Sequence, residues 1–438
     1  MNQEAIARSI VDRLISSGFE TYLAGGCVRD RLRGVEPKDF DIATSAHPEQ
    51  VQKIFSKTVP VGVQFGVILV VENDIPFEVA TFRTDGSYRD GRHPEGVTFA
   101  TLEDDARRRD FTVNGMYYDT RLEKVVDLVG GAADLKAGRI RTIGQAEKRF
   151  EEDHLRLLRA VRFAIQLGFE IDLGCLVVIQ GRAKDIQSVS QERVRDELGK
   201  ILTGPKPGEG IRLLDRTGLL AEILPEVITL KGVEQPMEYH PEGDVYIHTL
   251  MLLDQLSNPC LELALGALFH DIAKPATFER AVDRIRFHGH DRIGAEMSRV
   301  ILKRLAFSNE VTDLVCELVA EHLRFKDAFQ MRVSTLKRFL GIRRFDLHLE
   351  LHRIDCLSSH GKLDAYHFCQ QKLGEFRKLP PPPLRLVTGD DLIALGYTPG
   401  REFSKIIRAV EDSILEGELG DKTAALAWVR EKFPLKDK

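Results

Sequence analysis

Six cysteines in 438 residues, none of them in a C-x-x-C pair, exclude a disulfide frame and a zinc ribbon. Cys27, Cys175, Cys260, Cys316, Cys356 and Cys369 are scattered, the pattern of reduced thiols. Long apolar runs are missing as well: no stretch approaches the roughly 18 consecutive apolar residues that a membrane-spanning helix needs. Met1 to Phe19 mixes charged and apolar side chains at helical spacing without a continuous apolar core, so no signal peptide is expected and the chain reads as cytoplasmic. Positive charge is not in excess either. With 62 basic and 67 acidic residues the formal charge is −5, which rules out a uniformly basic nucleic-acid coat and leaves any polyanion to a local patch. The 43% hydrophobic content argues against disorder, and a chain of this length has room for roughly two to four domains with packed cores.

The most informative segment runs from Ala24 to Asp41, where a Gly25-Gly26 turn opens a basic stretch that ends in Asp39-Phe40-Asp41. Glycine lets backbone N–H groups approach a polyphosphate, and Arg29 stands close by to meet its charge. A strand over the two aspartates would place Asp39 and Asp41 on one face, since side chains alternate with period two. Two carboxylates so placed suit hard cations about 3.5–4 Å apart, the spacing that activates an attacking oxygen and neutralises a leaving phosphate.

Up to about Ile143 the text is mixed α/β. Val67–Val71 and Phe77–Phe82 read as a hairpin turning at Glu72-Asn73-Asp74, beside the strand of the aspartates, and this places Glu78 as a third carboxylate candidate. The glycine-punctuated stretch from Arg83 to Pro94 reads as a loop next to the site. From about Glu147 onward helical periodicity takes over, with Leu155, Leu158, Val161 and Ile165 on one stripe. Breaks at 204–208, 236–243 and 380–383 mark the expected joints. The chain divides on this reading into 1–145, 146–235, 236–360 and 361–438.

Two further clusters carry chemistry. Arg107-Arg108-Arg109-Asp110 with Asn114 joins guanidinium groups suited to phosphate with polar groups suited to a ribose hydroxyl. Asp153, Arg156, Arg159 and Arg162 recur every third residue and predict a polar ridge on a helix. Isolated, such a ridge is a surface salt-bridge ladder. The order acid then arginine also fits the pairing edges of cytosine and adenine, each of which offers an amino donor beside a ring-nitrogen acceptor, whereas uracil and guanine present the opposite polarity.

These three segments in this order resemble the class II tRNA nucleotidyltransferases, the bacterial CCA-adding enzymes and their poly(A) polymerase relatives. The likeness covers about residues 20 to 200 and includes Ser190 to Leu198, which resembles the family's neck helix. It implies an α/β nucleotidyltransferase head, a small mixed sheet with helices, followed by an all-α neck, body and tail. It also implies that Gly26 and Arg29 contact the triphosphate, that Asp39 and Asp41 bind Mg²⁺, and that Arg109 and Asp110 touch the nucleotide's phosphate and sugar. Asp153 and Arg156 would read the base, with Arg159 and Arg162 in support. Val61 to Val67 resembles the tRNA-specific branch, not the basic segment of the poly(A) polymerase branch.

The expected activity is template-independent addition of C and A from CTP and ATP to the 3′ end of tRNA. Lys136, Arg139, Arg141, Lys148 and Arg149 would form a local basic path for the RNA. An A-only adding enzyme or a poly(A) polymerase is the rival within the class. Farther along, His248, His270, Asp271, His290, His322 and Asp355 surround the text Ala267 to Lys274, which resembles an HD domain, the metal-dependent phosphohydrolase fold. Their ligand types suit a second divalent metal. They define the rival of another class, a phosphohydrolase whose head merely binds nucleotide or RNA.

Overall fold

The structure is a computed structural model that describes residues 2–85, 97–238, 240–282, 284–378 and 385–435. Most of the expected loop (residues 86–96) and the proline break at 380–383 lie outside the described residues. Two compact units result. The first comprises Met1–Lys231, Leu256–Ala264 and Val300–Ser308, and the second Gly232–Gln255, Leu265–Arg299 and Asn309–Lys438.

In the first unit, helix α1 (Gln3–Ser16) leads into strand β1 (Thr21–Ala24), helix α2 (Gly26–Leu32), β2 (Asp41–Thr44) and α3 (Pro48–Ile54). The strands β3 (Thr58–Gly62), β4 (Val67–Glu72) and β5 (Ile75–Thr81) form a meander, followed by the small pair β6 (Arg83–Asp85) and β7 (Val97–Phe99). Helix α4 (Leu102–Arg108) then precedes β8 (Tyr117–Asp119) and β9 (Lys124–Val126). A mixed seven-stranded sheet has the order β3-β4-β5-β2-β1-β8-β9. Its β2–β5 pair is parallel and its other pairs are antiparallel. The expected hairpin is present. Asn73 and Asp74 both take positive φ, 52° and 61°, the geometry of a two-residue turn whose twist matches that of the strands.

Period-two alternation sends neighbouring residues into two cores. Leu23, Ile42 and Val79 pack under α1 with Ile10, Val11 and Leu14, whereas Ala24, Ala43 and Tyr117 pack with Leu102 and Ala106 of α4. Asp41 therefore points to the α4 side. One expectation is corrected here: β2 begins at Asp41, and Asp39 sits in the segment before it. The alternation nevertheless extends backward, because Phe40 is buried in the α1 core while Asp39 and Asp41 are exposed.

Beyond α5 (Gly131–Ala137), the first unit continues with β10 (Arg139–Ile140), α6 (Ala146–Glu152), α7 (Leu155–Leu167), β11 (Glu170–Ile171), α8 (Leu173–Arg182), α9 (Gln191–Leu202) and α10 (Pro207–Arg216). Leu155, Leu158 and Val161 of α7 are buried, each worth about 1.5–3 kcal/mol in transfer terms. The break at 204–208 is not a border between units. It joins α9 to α10 inside the first one, with Pro207 in the first turn of α10, where a missing N–H costs nothing.

The second unit is mainly helical, with one departure from the expected all-α body: β12 (Phe278–Arg280) and β13 (Ile285–Phe287) pair as an antiparallel hairpin. Three-residue strands are too short for their alternation to be legible against a helical background. A separate apolar cluster holds the C-terminal helices, among them Leu392, Ile406, Val410 and Val429. Among the described residues, no helix is long and apolar enough to cross a membrane.

Candidate active site

A cleft of about 690 Å³ opens in the first unit and collects the three sequence clusters. Gly25 ends β1 with φ +73°, and its N–H donates to Met116 O at 3.0 Å. A Cβ there would lie 3.2 Å from Arg109 Nη1 and 3.8 Å from Asp41 Oδ2; the left-handed dihedral is what favours glycine, and a side chain would in addition press on Arg109. Gly26 opens α2, where Arg29 is held by Asp30, with Nε to Oδ1 2.9 Å, and by Asn114, with Nη1 to Oδ1 2.7 Å.

Asp41 faces Glu78 across the parallel β2–β5 register, in which Ile42 pairs Val79. Although exposed at the cleft mouth, its carboxyl is walled by protein. That burial, with the like charges of Glu78 and Asp39, pushes it up to about 6, against partial relief from Arg109. A crowd of carboxylates with too little positive charge fits a divalent cation. Glu78 thus joins Asp39 and Asp41 as a candidate ligand.

Behind Arg108 and Arg109, Asp105 of α4 accepts from Arg108 Nε (2.8 Å), Arg109 Nη2 (3.2 Å) and Tyr117 OH (2.6 Å). Sequence reasoning passed over Asp105 and Tyr117. The signal for Asp105 is its position three residues before Arg108 on one helix and four before Arg109, which caps it.

Asp110 accepts from the Phe111 N–H (2.7 Å), Asn114 Nδ2 (3.3 Å) and Arg159 Nε (2.9 Å). Burial raises its pKa, but the Arg159 ion pair outweighs burial and holds it at about 2. Because the folded value lies below the unfolded value of about 3.9, the pair stabilises the fold above pH 4, and that stability is lost as pH falls towards 2. Arg159→Met is expected to destabilise the chain at pH 7 by about 2–3 kcal/mol and to flatten its stability between these pH values. Urea unfolding at stepped pH measures both. An unchanged pH profile would rule the pair out as the cause.

The expected ridge needs correction. Arg156, Arg159 and Arg162 lie on α7, but Asp153 does not: it sits in extended backbone (φ −143°) between α6 and α7. Its carboxylate is gripped by Arg193 Nη2, at 3.2 Å from Oδ1 and 2.9 Å from Oδ2. Arg156 Nη1 donates to Glu152 (2.7 Å) and to the Arg149 carbonyl (2.8 Å). Arg162 pairs with Glu197 at 2.6 Å, outside the residues that line the cleft. Asp153, Arg156 and Arg159 do line it, as does Arg193, which the sequence contained within the neck motif without assigning it a role.

In the second unit all six expected ligand residues converge. His270, His290 and His322 each donate Nδ1–H to a carbonyl three residues upstream, those of Ala267 (2.9 Å), Phe287 (2.8 Å) and Val319 (2.6 Å). This leaves each Nε2 turned to Asp271, at 3.0, 3.3 and 4.0 Å. Such anchoring selects the tautomer that ligates a metal. His248 bridges Glu242 (2.7 Å) and Asp355 (3.0 Å). Its burial lowers the imidazole, but these two partners override it and raise the pKa to about 9. Clustered nitrogen and carboxylate donors fit a divalent transition metal. Glu242, His240 and Lys274 are additions. Lys274 lies 2.7 Å from Asp271 and was foreshadowed by its i+3 spacing, whereas Glu242, in a loop, gave no signal.

Comparisons with known proteins agree with this geometry. Family models match at residues 21–141 (Poly A polymerase head domain), 168–230 ("Probable RNA and SrmB- binding site of polymerase A") and 245–351 (HD domain). The CCA-adding enzyme of Latilactobacillus sakei is 39% identical over 257 residues, covering 57% of this chain and 64% of that one. That of Geobacillus kaustophilus is 45% identical over 216 residues, or 49% and 53%. The aligned chain thus spans between half and two thirds of these curated relatives.

The crystal structure of the Bacillus stearothermophilus CCA-adding enzyme in complex with CTP is 28% identical, with TM-score 0.77, covering 99% of this chain and 98% of that one. The Thermotoga maritima CCA-adding enzyme complexed with tRNA_CCA shares the fold at 18% identity and TM-score 0.60, over 99% and 96%. The chain thus carries, in this order, a region matching the Poly A polymerase head domain, a polymerase A RNA-binding region and an HD domain, and it is similar throughout these regions to CCA-adding enzymes.

Proposed function

We propose that this chain extends the 3′ end of tRNA with C and A from CTP and ATP, without a nucleic-acid template. The observation that carries the reading is the single cleft in which Asp41 and Glu78, Arg29 and Arg109, and Asp153 and Arg156 all line the walls. Magnesium held by Asp39 and Asp41 would supply charge neutralisation at the α-phosphate and a lowered pKa for the primer 3′-hydroxyl. Arg29 and Arg109 meet the triphosphate, and Asp110 with Asn114 fixes the ribose. Asp153 accepts from the base amino group, Arg156 donates to the ring nitrogen, and Arg159 anchors Asp110. Catalysis is then mostly positioning. The likeness to a CCA-adding enzyme in complex with CTP supports this reading.

The functional division we propose keeps 1–145 as head, 146–235 as neck, 236–360 as the HD-type domain and 361–438 as tail. The histidine centre between His240 and Asp355 supports a second, metal-dependent phosphoester hydrolysis in the HD-type domain.

Incubation with tRNA lacking CCA, lacking A, or complete, followed by sequencing of the products, tests the reading. Addition of C, C and A to the first substrate is expected. Extension of the second alone would make it an A-adding enzyme.

Base choice has its own test. Asp153→Ala removes the acceptor that selects an amino group, so discrimination against UTP and GTP is expected to fall by about 1–3 kcal/mol, roughly tenfold to a hundredfold in relative kcat/KM. Arg156→Ala is expected to weaken CTP and ATP use instead. If both variants lost all four nucleotides in equal proportion, the two residues would be structural members of the neck.

A further inference from the structure

We propose that Asp105 is a positioning residue that holds Arg109 and Arg108 as a preformed wall for the triphosphate and keeps Arg109 off Asp41; this rests on the cleft being the nucleotide site. Asp105 is 1% exposed, deeper than any other acid near the cleft, so it cannot touch substrate or metal. Besides Arg108 Nε, Arg109 Nη2 and Tyr117 OH, it accepts from Arg109 Nε at 3.3 Å and from the Arg83 backbone N–H at 3.4 Å. Arg83, Arg108 and Arg109 all line the cleft, so one buried carboxylate holds two guanidinium groups there and the backbone of a third basic residue.

The need for such an anchor follows from the crowding at Gly25. Arg109 Nη1 and Asp41 Oδ2 both lie within 4 Å of the point a Gly25 Cβ would occupy. A guanidinium free to rotate there would settle on the Asp41 carboxylate, its nearest unneutralised charge, and would neutralise a ligand while leaving the phosphate subsite. Asp105 competes by offering Arg109 a buried acceptor. Tyr117 reinforces it, donating to Asp105, accepting from Arg109 Nε at 3.1 Å and lying under the guanidinium at 4.9 Å. The ordering entropy of Arg109 is thus lost on folding and not on nucleotide binding.

Because the triphosphate is common to all nucleotides, the effect must be blind to the base. Inorganic tripolyphosphate, a probe with no base or sugar, is titrated calorimetrically into the full chain and into Asp105→Asn and Tyr117→Phe, with folding checked by circular dichroism. Asp105→Asn is expected to weaken tripolyphosphate about tenfold or more, because a charge-assisted anchor becomes a neutral one. KM for CTP and ATP should rise by a common factor while discrimination against UTP and GTP stays unchanged. Tyr117→Phe should shift both in the same direction, about threefold, since it removes one hydrogen bond and leaves the carboxylate. It decides the matter if Asp105→Asn does not fold. Folded variants that bind tripolyphosphate like the unsubstituted chain, or that alter base preference, would overturn the proposal alone. Failure of the unsubstituted chain to bind tripolyphosphate in competition with CTP would overturn the cleft reading as well.

Discussion

Asp41→Ala is expected to abolish nucleotide addition, with a fall in turnover of three orders of magnitude or more, while the fold and tRNA binding stay largely intact. The lost contribution is stabilisation of charge that develops only in the transition state, so the ground-state complex should survive. Asp39→Ala should behave alike if, as proposed, the two carboxylates on either side of buried Phe40 act as one clamp. Single-turnover rates with saturating tRNA and CTP, alongside filter binding of tRNA, separate chemistry from affinity. Near wild-type turnover with magnesium in either variant would remove the clamp from the mechanism.

The second large effect concerns the histidine centre. On the proposed second metal site, a His270→Ala/Asp271→Asn double variant is expected to lose any metal held there and any metal-dependent hydrolysis of a phosphomonoester or cyclic phosphodiester. Asp271 is the hub, with His270, His290, His322 and Lys274 all within 4.0 Å of its carboxylate oxygens. Metal stoichiometry by elemental analysis reads the loss directly. Nucleotide addition should persist, because the cleft residues all belong to the first unit. A well-folded double variant that failed to extend tRNA would show that the two sites are not independent.

Much of this was legible in the residues because chemistry and spacing coincide. Gly25 and the Asp39-Phe40-Asp41 alternation, and Arg156 with Arg159 on one helix, stand in local patterns that a backbone period makes readable, whereas the six histidine-centre residues, spread from 248 to 355, were readable only by residue type and order through the HD resemblance. The hairpin at Asn73-Asp74 was legible for the same reason. What escaped is long-range pairing and breaks in periodicity. Arg193 reaches Asp153 from another helix, and Glu242 reaches His248 from a loop, through contacts that no local period encodes. Asp153 looked helical because three-residue spacing continues through it, but extended φ and ψ there end one helix before the next begins, and its carboxylate pairs with Arg193. The strand read over both aspartates shrank to Asp41 because the antiparallel partner residues of β1 run out at Ala24, opposite Asp41.

The parallel pairing within the seven-stranded sheet, β2 against β5, also bears on the order in which the chain folds. Antiparallel neighbours can zip outward from a tight turn, as β4 and β5 do at Asn73-Asp74. Asp41 and Glu78 meet only when β2 closes on β5 over the whole intervening α3 and β3–β4 segment, a contact of high sequence separation whose loop-closure entropy is lost before any pairing repays it. The carboxylate cluster thus has no precursor in the early, locally formed parts of the sheet. A refolding chain should regain hairpin and helix signals before it regains divalent-metal binding at the head.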